Sequence, residues 1–143
     1  DGHFHDNVPV DLATRIHPFM MSDATDMVPD EDGRVLLLAG GLGRLDSFAD
    51  KAAGVDCNPD CAFEDDDITE GLARIEEALS LHDPTRVGKI EVYFPLSNFH
   101  ADKLPYIESF LSQVKARYID TGALQWGSQS DIYKAYVAWN GLD

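Results

Sequence analysis

"GALQWGSQSDIYKAYVAW", residues 122–139, decides what architecture the other elements can join. "GALQWG" and "IYKAYVAW" are rich in residues that favour extended structure, and Ser128, Gln129, Ser130 and Asp131 lie between them as a turn. The pattern predicts two antiparallel strands joined as a hairpin. Alternation in the second strand puts Tyr133 and Trp139 on one face and Tyr136 on the other. Part of the set Trp126, Tyr133, Tyr136 and Trp139 is therefore expected at the surface as a partner-binding face.

Upstream of this segment, two helices are legible. Ile68, Leu72, Ile75 and Leu79 recur at helical spacing, with Asp67 placed as N-cap and Glu70 as its capping-box partner; "HDP" at 82–84 stops the run. "ADKLPYIESFLSQVKAR" (101–117) carries Ile107, Phe110, Leu111 and Val114, followed by Tyr118, as an inward stripe, with Pro105 in the first turn. "RVLLLAG" (34–40) has the boundaries of a buried strand, and "GKIEVYFP" (88–95) alternates Ile90, Val92 and Phe94 against Lys89, Glu91 and Tyr93. Between them, "GLGRLDSFADKAAG" (41–54) is a glycine turn running into a short helix that Gly54 can end. Right-handed crossovers would place 35–38 and 90–94 in one sheet.

The expected fold is α/β (α+β), a small two-layer sandwich of ferredoxin-like or variant topology, in the order β-α-α-β-α-β-β. Residues 1–33, without a sustained period, are expected as an irregular N-terminal arm with one short element around "VPVDLATRI" (8–16); residues 34–143 are expected as a single α/β domain. A chain of 143 residues is long enough to bury a core without metals or bridges as scaffolding.

Charge narrows the function. Twenty-six acidic residues against 11 basic ones give a formal charge of -15. That opposes binding to nucleic acid phosphates or anionic lipid, where cationic side chains must displace counterions. No run is apolar and long enough to cross a bilayer, so membrane insertion is not expected. The chain starts at Asp1 rather than Met, and an upstream segment such as a signal peptide is expected to have been removed. Cys57 and Cys61 are close enough to form a small disulfide loop, which fits an extracytoplasmic or secreted protein.

Three chemical constellations remain. Counting from Asp56, the oxygen-bearing residues Asp56, Asn58, Asp60, Glu64 and Asp67 fall where a helix-loop-helix calcium loop takes its ligands, although Cys61 stands where that loop needs glycine. "DGH" at 1–3 offers the His3 imidazole with amine and amide nitrogens, a set suited to copper(II), with His5 nearby. His100 followed by Asp102, in a loop after a strand, could supply acid–base catalysis. Familiar nucleophile motifs are missing: Ser97 and Ser109 have no glycine elbow. The reading this favours is a non-catalytic binding or assembly module, engaging a basic protein or its own copies. A calcium- or copper-binding protein and a small enzyme using His100 are the alternatives, and no other cofactor is implied.

Overall fold

The computed structural model describes residues 11–22, 28–58 and 61–142. The order is α1 (Leu12–Arg15), β1 (Phe19–Met21), β2 (Val35–Leu37), β3 (Gly41–Arg44), α2 (Phe48–Ala52), α3 (Asp65–Leu81), β4 (Glu91–Tyr93), α4 (Leu104–Val114) and α5 (Gln129–Asn140). The chain is thus a mixture of helices and strands, with His3, His5 and Asp60 outside the described residues.

The strands form two small sheets. β1 runs antiparallel to β2, with Phe19 opposite Leu37 and Met21 opposite Val35, while β3 is hydrogen-bonded to β4. The segments expected to share one sheet therefore take different partners. The reason lies at Gly40, whose φ of 97° is readily adopted only by glycine and turns the chain between β2 and β3. A Cβ there would lie 2.3 Å from the Lys89 carbonyl oxygen. Without one, the Gly40 carbonyl accepts the Glu91 amide at 2.8 Å. β1 comes from the stretch read as an irregular arm; Phe19 and Met21 are buried, as is the neighbouring Ile16.

The C-terminal segment corrects the hairpin expectation, since residues 129–140 are helix α5. Its start is a capping box: the Ser128 side chain accepts from the Asp131 amide, and the Asp131 carboxylate accepts from the Ser128 amide. Its end is Gly141 in the left-handed region, φ 66°. Lys134, Ala135 and Ala138 are good helix formers, and together with the caps they outweigh the strand preference of the aromatics.

α3 and α4 follow their apolar periods. Ile68, Leu72 and Ile75 are buried on α3, and Ile107, Phe110 and Val114 on α4, whereas Leu111 is exposed. The helix of α3 begins two residues before Asp67, so Asp67 is not its N-cap, and Glu70 instead pairs with Arg74 one turn on. A π turn at Lys115–Ile119 follows α4 and carries Tyr118 inward, where its hydroxyl donates to Glu76 Oε1 at 3.1 Å.

Two compact units result. One comprises Asp1–Leu42, Glu77–Glu91 and Gly127–Asp143; the other, Gly43–Glu76 and Val92–Trp126. In the first, Ile16, Phe19, Met21, Leu42, Ala78 and Tyr136 are buried. Lys89 is buried with them; its ammonium donates to the Leu38 carbonyl at 2.7 Å and to the Glu91 carboxylate. In the second, Leu45, Phe48 and Phe63 join the α3 and α4 stripes, and Phe94 meets Phe110 edge to face.

Replacing Gly40 with alanine is expected to destabilise the fold by about 2 kcal/mol or more, because the new methyl meets backbone and the backbone angle is strained. Gly41, with nothing within 4 Å of an added Cβ, is the control: Gly41→Ala should change stability by less than about 1 kcal/mol. Urea denaturation of the two variants makes the comparison.

Candidate functional site

The acidic loop lies wholly in the second unit. Cys57 and Cys61 are joined by a disulfide. Asp56 Oδ1 accepts the Asn58 amide at 3.1 Å, and Asn58 Oδ1 accepts from Arg44 Nη1 at 3.2 Å. Arg44 at the same time grips the buried Asp46 carboxylate with two parallel bonds, Nε to Oδ1 at 2.5 Å and Nη2 to Oδ2 at 2.8 Å. Glu64 is exposed.

Asp67 is turned inward. Its Oδ1 accepts the Ala49 amide at 2.9 Å and its Oδ2 the Glu64 amide at 3.1 Å, so one carboxylate ties the first turn of α2 to the start of α3. Burial pushes this carboxyl above its usual 3.8 despite the two amide bonds, with Asp46 and Asp50 adding to the rise. The oxygens of the calcium-loop reading thus face separate tasks: Asp67 braces the helices, and Asn58 holds Arg44. A different trio does converge. One ligand atom each from Asp50, Cys57 and Cys61 lies within 4.8 Å of the others. While the disulfide stands, its sulfurs carry no thiolate charge, and the trio is a covalent staple beside a carboxylate.

In the first unit, α5 presents aromatics at steps of three. At 3.6 residues per turn, Tyr133, Tyr136 and Trp139 span an arc of about 120°, with Tyr136 at its centre. Tyr136 is buried, while Tyr133 is 54% and Trp139 45% exposed, as is Leu142 just past the helix at 54%. Trp139 is anchored: its indole donates to the Thr85 carbonyl at 2.7 Å, and the Arg86 guanidinium lies over its ring. Tyr136 is the only buried residue of this helix. Trp126 is exposed in the other unit. There, too, Leu96 and Phe99 protrude from the turn after β4, and His100 and Asp102 are both exposed. The His100 carbonyl accepts the amides of Lys103 and Leu104, which leads the chain into α4.

Sequence reasoning missed a buried histidine. His17 is 2% exposed, and its ring stacks on that of His82 with centroids 5.2 Å apart. Its Nδ1 lies 2.7 Å from the Ala13 carbonyl, which can only accept, so Nδ1 carries the hydrogen and Nε2 the lone pair. Two donors converge on that nitrogen: the Asp83 amide at 3.1 Å and His82 Nδ1 at 3.1 Å. Protonating Nε2 would set a hydrogen against both. Burial accordingly lowers the His17 pKa from 6.5, the nearby Arg86 and His82 adding to the fall, while the Ala13 bond and Asp83 oppose it. No signal in "RIHPF" could have shown this, since the partners lie 65 residues on.

No protein-family model, curated protein or solved structure matches this chain. Among the described residues, no helix is long and apolar enough to cross a membrane.

The histidine cluster yields a pH dependence. A neutral, depressed His17 means the unfolded chain binds more protons between the folded pKa and 6.5. Stability is therefore complete above 6.5 and falls as pH drops through that window, then levels with respect to this group. Urea midpoints measured at steps from neutral pH downward should show the fall, and His17→Gln should flatten it.

Proposed function

We propose that this chain is a non-catalytic binding module, exported from the cytoplasm, that engages a basic protein segment through the aromatic face of α5. The observation that carries the reading is the exposure of Tyr133, Trp139 and Leu142 around a single buried side chain, Tyr136. A helix of 12 residues is marginal in water when so little of it is buried, and covering this face would complete its stabilisation. Tyrosine and tryptophan are the residue types that most often anchor protein contacts.

Charge selects the partner. At -15, copies of this chain repel one another, whereas a basic segment is drawn in and oriented before contact. The same charge opposes nucleic acid. The Cys57–Cys61 bond supports export, because small disulfides persist where thiols are not kept reduced.

The test uses the two native tryptophans, Trp126 and Trp139. Titration with a synthetic amphipathic peptide rich in lysine and leucine should shift the tryptophan emission to shorter wavelength, and added salt should weaken binding. Tyr133→Ser should reduce affinity at least about tenfold while leaving the fold intact. Equal binding by the variant, or no emission change with any such peptide, counts against the reading. A concentration-dependent dimer in sedimentation would point to self-assembly instead.

A further inference from the structure

We propose that Asp50, Cys57 and Cys61 form a redox-gated site for a zinc-class divalent ion, closed when the cysteines are bonded and opened when a dithiol reduces them. The three ligand atoms already lie within 4.8 Å of one another, on one short stretch of the second unit. This set is chemically distinct from an all-oxygen calcium loop. Two soft thiolates with one carboxylate suit zinc, whereas calcium takes six or more hard oxygens.

What makes the site more than a broken staple is that the stretch from Asp50 to Asn58, which carries two of the three ligands, is held by bonds in which sulfur takes no part. The Val55 amide donates to the Asp50 carbonyl at 2.8 Å, folding the chain back after Gly54, whose φ of 75° makes the reversal. Asp56 closes a turn on the Asn58 amide, and Arg44 holds the Asn58 side chain. Arg44 is itself fixed by the buried Asp46. Reduction thus frees two ligands, Cys57 within a bend that these bonds already hold and Cys61 four residues on.

The chemistry balances. The dithiol gives up two electrons and two protons and closes to its own disulfide; the Cys57–Cys61 bond breaks to two thiols. The incoming ion displaces both thiol protons to solvent and binds two thiolates and the Asp50 carboxylate. Three negative ligands then face a charge of +2, and the fourth tetrahedral position is left to water. In the oxidised protein the sulfurs are neutral and bonded to each other, and this three-ligand set does not exist.

Cobalt(II) is the probe, because its thiolate complexes absorb strongly in the near ultraviolet and its tetrahedral complexes in the visible. The full chain is titrated with cobalt chloride in its oxidised form and after reduction by a phosphine, which takes oxygen from water as it breaks the disulfide. The expected result is one cobalt ion per reduced chain with a thiolate charge-transfer band, no such band in the oxidised chain, and loss of the visible bands when zinc is added. Asp50→Asn, which retains both cysteines, should weaken binding of the reduced chain about tenfold or more. Cys57→Ser should abolish the band; should that variant fail to fold, the oxidised and reduced wild type and Asp50→Asn decide the matter. A reduced chain without the charge-transfer band, or an Asp50→Asn variant with unchanged affinity and spectrum, overturns the site.

Discussion

The Asp67 carboxylate sets the geometry of the second unit's acidic half. By accepting the Ala49 amide with one oxygen and the Glu64 amide with the other, it fixes where α2 begins relative to α3. The bend after Gly54 and the bonded pair Cys57 and Cys61 lie between these two braced helix starts. Burial raises the energy of the charge, and the two amides offset part of that cost. Neither amide lies in a strand; both belong to helix starts, where N–H groups lack an intrahelical acceptor and the helix dipole favours a negative group. An Asp rich in hydrogen bonds is therefore more useful here than a hydrophobic side chain of equal size.

The elements legible in the sequence are those whose information is local. α3 and α4 could be read because Ile68, Leu72 and Ile75, or Ile107, Phe110 and Val114, repeat at a period that only a helix buries together. The disulfide could be read because five residues of chain leave the two cysteines near each other. α5 is hidden in the sequence because Tyr133, Tyr136, Val137 and Trp139 carry strand preference, while the deciding signals are the spacing of three and the Ser128–Asp131 capping box, whose residue types also suit a turn. β1 offered three residues and no alternation, too little to distinguish a strand from a loop. The pairings that hold the first unit, His17 with His82 and Lys89 with Leu38, join residues far apart along the chain, and no periodicity encodes them.

Aromatic exposure and acidity belong to the same design problem. A chain with so large a net charge resists self-association, so it can leave tyrosine and tryptophan in water without inviting its own aggregation. Trp139 is anchored by the Thr85 carbonyl and the Arg86 guanidinium, so its exposed ring is held in place. The mixed exposure along α5, buried at Tyr136 and open on either side, is what a helix shows when its own unit covers only the middle of its apolar arc.

Lys89 carries a consequence of a different kind. Its ammonium is buried and held by the Leu38 carbonyl and the Glu91 carboxylate, whereas the side chains of Lys51 and Lys134 are exposed. An amine-reactive reagent will acylate the exposed lysines at once but reach Lys89 only when the first unit opens. The rate at which this one lysine is labelled is therefore a clock for local opening, written into the chain without any added probe.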